Sequence, residues 1–359
     1  VTLADLSAGR DNNLNLIRML AASAVLVSHA YPLALGPGTP EPLLQLTGKS
    51  LGGLAVMVFF AISGFLITAS YQRRPRAGAY VRARALRLLP GLFVCLMLTA
   101  YGLGPVVTTL PLVTYLTHPE TALFVLRDLT MFSLVFTLPG VFVDTPYPAV
   151  VGSIWTLSYE VLCYAGVFLA GLAGLLAKRR RAAVLLLAYL AAWLVVKGEV
   201  ITVHIRIALL FELSLAFAIG AAFYLWRESI PLSLPLAAAL LLGAALLRPL
   251  NDLAYGFVLA LAVTYATLWL AYVPKGPLLL YNRLGDYSYG IYIYAFPLQG
   301  WAAWAFGPQT PLENMLYAFP PTLLCAVLSW HLVERPAMRW KAGPVQRRAL
   351  PAAPPQGRS

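Results

Sequence analysis

Three sets of side chains in this sequence could carry chemistry. The first is Arg18 with His29, in LNLIRMLAASAVLVSHAYPLAL (14–35), a stretch otherwise apolar and long enough to cross a bilayer as a helix. Ionisable groups are costly in hydrocarbon and mark functional sites there. Eleven residues make nearly three helical turns, so both side chains fall on one face, roughly 16 Å apart along the axis. A cation near one membrane surface and an imidazole deeper on the same face suit an anionic cofactor anchored at the first and reacting at the second. The plainer alternative is a snorkelling arginine and a histidine satisfied by a neighbouring helix. The second candidate is Glu160, in SIWTLSYE. Counting rise per residue puts it at the depth of His29, where a carboxylate could fix the imidazole's tautomer; otherwise it bonds to Trp155, Ser158 or Tyr159. The third is Arg84 with Arg87, in RARALRLLP. Three residues apart, they share a helix face that could bind phosphates, although many cationic loops simply meet anionic lipid.

Other residues are weaker candidates. Ser63 and Gly64, in FFAISGFLI, lack the G-x-S-x-G elbow of a serine hydrolase, and small residues there favour close helix packing. DYSYGIYIYAF supplies Ser288, Tyr289, Tyr292 and Tyr294, some of them suited to interfacial anchoring. Glu212 and Glu313 are ambiguous. His118, His204 and His331 show no ligand spacing. Cys95, Cys163 and Cys325 lie in apolar stretches and read as small core residues, so no metal site is expected.

The elements that must position these groups follow from composition. The chain has 359 residues, 60% hydrophobic and 11% charged, far too little charge for a soluble domain. The formal net charge of +12 could suggest nucleic acid. The basic residues instead sit in short clusters between apolar runs, as the positive-inside rule requires. Apolar runs predict an all-α bundle of ten membrane helices: 14–35, 54–71, 88–107, 154–177, 182–197, 205–226, 232–247, 253–273, 286–306 and 314–333. With both termini cytoplasmic, of the 26 Lys and Arg only Lys49, Arg127, Lys197, Arg206 and Arg248 fall outside. Residues 73–87 read as a cytoplasmic loop and 108–153 as the longest outer region, placed to cover an acceptor entrance. No signal-peptide pattern precedes the first run, which is expected to be retained. Residues 1–340 form one expected domain, and 341–359 a basic, Pro-rich, mobile cytoplasmic tail.

In this order and spacing, LIRMLAASAVLVSH, VFFAISGFLI, RARALRLLP, SIWTLSYE, DYSYGIYIYAFP and the closing VERP resemble the acyltransferase-3 family of integral membrane acyltransferases, over residues 13–340. The R-x10-H signature at Arg18 and His29 is the most diagnostic element. The resemblance implies ten transmembrane helices in a bacterial inner membrane. It implies transfer of an acyl group, commonly acetyl, from cytoplasmic acyl-CoA to a hydroxyl of a glycan or small-molecule acceptor, with no tightly bound cofactor. It makes His29 the catalytic base, Arg18 its partner and Glu160 the acidic position that orients it. Arg82, Arg84 and Arg87, with Arg18, become the acyl-CoA contacts. Trp155, Ser158, Ser288, Tyr289 and Tyr292 become the candidates to touch substrate, some as oxyanion donors. Two departures stand out: Asn15 replaces an Asp common in relatives, and Ala295 replaces a His. The rival readings are a transporter of a glycan or acyl intermediate, needing no thioester, and a membrane glycosyltransferase, for which the outer loops offer only Glu120, Asp128 and Asp144.

Overall fold

A computed structural model describes residues 1–9 and 11–340; Arg10 and the expected tail, 341–359, lie outside the described residues. Helices form at all ten expected places. They are α1 (Leu14–Leu35), α2 (Leu51–Arg73), α3 (Ala77–Met97), α4 (Trp155–Leu172), α5 (Arg179–Lys197), α6 (Ile205–Leu225), α7 (Leu234–Leu247), α8 (Asp252–Tyr272), α9 (Ser288–Phe306) and α10 (Pro311–Ser329). Short helical turns fill several connections, and the described residues hold no strand, only two isolated bridges. The protein is therefore an all-α polytopic membrane protein. By length and composition, seven helices among the described residues can cross a membrane: α1, α2, α3, α4, α6, α8 and α10, the third and the last counted with their extensions.

The region expected to be a basic loop is corrected by the structure. α3 begins at Ala77, so only residues 74–76 connect it to α2. Arg, Ala and Leu are strong helix formers, and RARALRLL continues the helical register out of the apolar core. At its other end α3 passes through a π-helical segment, Leu98–Leu103, in which the Gly104 N–H returns to the Thr99 carbonyl, and ends at Val107. α10 behaves likewise. Trp330–Glu334 is π-helical, the Arg335 N–H returns to Trp330, and the helix ends at Arg339. In both cases a proline, Pro105 or Pro336, comes next; its missing N–H breaks the ordinary ladder there.

α2 is the central element, packed against α1, α4, α6 and α8. Its contact with α6 is backbone on backbone. A Cβ on Gly64 would lie 2.0 Å from the Phe217 carbonyl oxygen, and one on Gly220 would lie 2.2 Å from that of Ala61. Glycine is required at both positions, which bears out the packing role read for Gly64. The segment 108–153 folds over the end of the bundle that holds His29. Its Tyr147 and Ala149 pack with Leu33 and Phe296. Within it, Asp128 is fully buried and accepts the Val135 N–H at 2.6 Å, and burial pushes its carboxyl up to about 7.

Candidate active site

The structure builds its polar centre around a residue the sequence reading passed over. Asp286 lies two residues before α9 and is 6% exposed. Its Oδ2 accepts from Arg18 on α1 at 3.1 Å and from Arg87 on α3 at 2.6 Å, and its Oδ1 accepts the Ser288 hydroxyl. Arg87 also approaches Glu334 of the α10 extension at 3.6 Å and lies over the Tyr289 ring, 5.8 Å from its centroid. Glu334, 1% exposed, accepts the Ser329 hydroxyl at 2.9 Å. Four chain segments distant in sequence thus meet in one ion-pair network. Opening such a network from one side leaves an uncompensated buried charge, at a cost of about 3–5 kcal/mol.

Beside this network lies a cavity of about 350 Å³. Arg18, Arg84 and Arg87 reach it from the basic end and Glu160 from α4, with Ser288, Tyr289 and Tyr292 along α9. The α2 face carrying Val56, Phe60, Ser63 and Ile67 closes one side. Glu160 accepts from Ser63 at 2.7 Å and from the Tyr164 hydroxyl. Arg84 lies over the Tyr164 ring at 5.9 Å, and its Nε is buried without a partner. The Tyr292 hydroxyl donates to the Ser153 carbonyl and pairs with the Thr156 hydroxyl. Asn15, Arg18 and Leu66 line both this cavity and a wider one of about 930 Å³ at the basic end of the bundle, a vestibule to it.

His29 is placed differently from the sequence expectation. Its ring packs edge-on against Phe296, with centroids 5.2 Å apart, and its Nδ1 is buried with no hydrogen-bond partner. It is not among the cavity's lining residues, and no hydrogen bond joins it to Glu160. The two helices do bring both residues inside the bundle, but the Glu160 carboxylate turns toward Ser63 and Tyr164, whose hydroxyls satisfy it. Below His29, Gln299 donates to the Leu26 carbonyl at 2.9 Å and to Asn314 at 2.9 Å.

Three further expectations are corrected. Arg82 is exposed and does not line the cavity, because two residues before Arg84 it points to the other side of α3. Trp155 stacks edge-on with Tyr159 at 5.7 Å, and Ser158 donates to the Trp155 carbonyl at 2.8 Å; neither lines the cavity. Asp286, Glu334 and Tyr164 lie beyond the sequence expectation, and Ser63, a weak nucleophile candidate there, serves instead as a donor to Glu160. A lone acid at the edge of an apolar run, the signal that singled out Arg18, was present for both Asp286 and Glu334.

The remaining polar residues have structural tasks. His118 and His204 accept backbone N–H groups at helix starts, and Glu313 forms a capping box with Thr310. Glu212 bridges Lys49 and Lys197. All three cysteines are free, and no group of His, Cys, Asp or Glu among the described residues could hold a metal. Asn15 bonds to Asn282, and Ala295 is buried.

The chain as a whole has counterparts in known proteins. A family model described as an acyltransferase domain matches residues 11–331. An O-acetyl transferase of Shigella phage Sf6 is 30% identical over 91% of this chain and 96% of its own length. Nodulation protein 10 of Rhizobium leguminosarum bv. viciae is 27% identical over 95% of this chain and 97% of its own. No solved structure matches the chain. With its polar residues in the order that first suggested it and a family match over nearly its whole length, the chain belongs to the acyltransferase-3 family of membrane O-acyltransferases.

Proposed function

We propose that the protein transfers an acetyl group from acyl-CoA to a hydroxyl of a glycan or small-molecule acceptor, with the basic end of the bundle in the cytoplasm of a bacterium and the bundle in its inner membrane. The observation that carries this reading is the pair of joined cavities. A wide basic vestibule narrows at Arg18 into a polar cavity of about 350 Å³ inside the bundle, which suits a donor with an anionic head and a slender arm. The relative named as an O-acetyl transferase favours acetyl.

In the reaction the acceptor hydroxyl gives its proton to His29 as its oxygen attacks the thioester carbonyl. The tetrahedral centre collapses, the C–S bond breaks, and the CoA thiolate takes the proton from His29. Free ring nitrogen at His29 supports its role as the base, because no protein group competes for it. Arg18, eleven residues away on the same helix, sits where the arm enters. Arg84 and the Ser63–Glu160–Tyr164 hydrogen bonds give that arm a polar wall. The acceptor approaches from the His29 end, beneath Tyr147 and Ala149.

The test is acceptor-dependent release of CoA thiol from acetyl-CoA by the full chain in proteoliposomes, with the acetylated product identified by mass spectrometry. Movement of an acceptor across the bilayer with no thiol released would overturn the reading in favour of a transporter.

A further inference from the structure

We propose that the phosphates of the donor's nucleotide are bound in the vestibule by Arg73 and Arg227, rather than by the R-x-x-R pair Arg84 and Arg87. This rests on the acyl-CoA reading above and assigns the nucleotide end of that donor a place.

Space is the first argument. A nucleotide with three phosphate groups is a drug-sized ligand, and such ligands occupy pockets of roughly 300–1,000 Å³. The vestibule, at about 930 Å³, is the roomier of the two; the inner cavity, at about 350 Å³, lies near the lower end of that range and must also take the arm. Charge is the second. Arg87 is already neutralised by Asp286 at 2.6 Å and Glu334 at 3.6 Å, so a phosphate would have to displace a buried carboxylate. Arg73 and Arg227 both line the vestibule, and neither forms an ion pair with a carboxylate among the described residues. Glu228, also on the lining, is held by Arg179 at 2.5 Å, whose hydrogen bond and charge lower its pKa.

Placement is the third argument. Arg73 is the last residue of α2, and Arg227 lies two residues past the end of α6. The glycine contact that locks those two helices together brings both ends to one side of the vestibule. Arg227 lies 4.4 Å over the Tyr224 ring and donates one N–H to the Tyr224 carbonyl at 2.8 Å. That fixes the guanidinium plane while leaving its remaining donors for a phosphate fork. From there the arm runs past Asn15 and Arg18 into the inner cavity, both residues being common to the two linings.

Lipid headgroup phosphate offers the same chemistry, so the experiment separates the sources. The full chain is placed in nanodiscs of zwitterionic phosphatidylcholine, and binding of CoA and of adenosine 3′,5′-bisphosphate is measured by calorimetry at several salt concentrations. Arg73→Gln and Arg227→Gln should each weaken both ligands about tenfold and flatten the salt dependence, with Arg73→Lys and Arg227→Lys recovering part of the affinity. Arg84→Gln should leave adenosine 3′,5′-bisphosphate binding intact. Wild-type affinity in both Gln variants would overturn the proposal and make these arginines lipid anchors. Loss of nucleotide binding in Arg84→Gln instead would return the phosphates to the R-x-x-R pair. A wild-type protein that binds neither CoA nor the bisphosphate would overturn the acyl-CoA reading itself, a different result from either.

Discussion

Arg18 and His29 stand on one face of one helix and live in opposite conditions. Arg18 is bound into a network of four charged side chains from four chain segments. His29 has only an aromatic edge and a ring nitrogen with no partner. The contrast teaches how a membrane bundle divides its polar groups. Where charge is a fixed part of the fold, it is neutralised within the protein. At His29 the ring nitrogen is left without a protein partner, as the base of the proposed function requires.

The contrast can be broken at either end. The largest effect is expected at His29. His29→Ala should lower acceptor-dependent thiol release about 10²–10⁴-fold, the usual worth of a general base. Thermal unfolding in detergent should fall only by the packing lost against Phe296, so the folded fraction is measured beside turnover; turnover per folded protein within a few fold of wild type would show that the free imidazole is not the base. Asp286→Ala should do the reverse. It strands the Arg18 guanidinium and leaves Arg87 only Glu334, and should destabilise the protein by about 3–5 kcal/mol, read as a lowered unfolding midpoint, with the loss of activity following the loss of folded protein. Pairing it with Arg18→Leu should recover part of that stability, and a purely additive double variant would mean the two are not coupled.

Smaller effects lie away from both ends. Gly64→Ala forces a methyl into the α6 backbone and should cost about 1–3 kcal/mol of stability. The other is a pH effect at Asp128, spread over several pH units. Its carboxyl titrates near 7 in the folded chain against 3.8 unfolded, so the folded state holds the proton more tightly between those values. The stability this contributes is complete below pH 3.8 and is lost as pH rises through 7. Asp128→Asn should therefore melt less steeply with rising pH than wild type between pH 5 and 8; parallel curves would mean that the group does not titrate there.

The comparison also marks what the sequence could express. Apolar runs located ten helices, most within a few residues, because burial in lipid acts on each segment separately. The start of α3 was misplaced because RARALRLL is helical without being apolar. Arg18 and Arg84 could be singled out because a charge in an apolar run is a local signal. Asp286 carries the same local signal, but its pairing with Arg18 could not be read, since it lies 268 residues later and only packing joins them. The expected pairing of His29 with Glu160 came from counting depth along ideal helices. Depth says nothing of rotation about the axis, and rotation gave Glu160 to Ser63 and Tyr164. Of the ten crossings expected, seven are borne by helices that meet the length and composition of a span on their own. α7, a single 14-residue helix, is too short to be counted among the seven that can span by length and composition.

The close approach of α2 and α6 has a consequence for selectivity. The face of α2 that borders the inner cavity adjoins the face pressed against the α6 backbone at Gly64 and Ala61. Two touching main chains cannot part without unpacking both helices, so the α2 backbone behind the lining side chains Val56, Phe60, Ser63 and Ile67 is fixed in place. Under the proposed function, that limits how far the pocket can widen for an acyl group longer than acetyl.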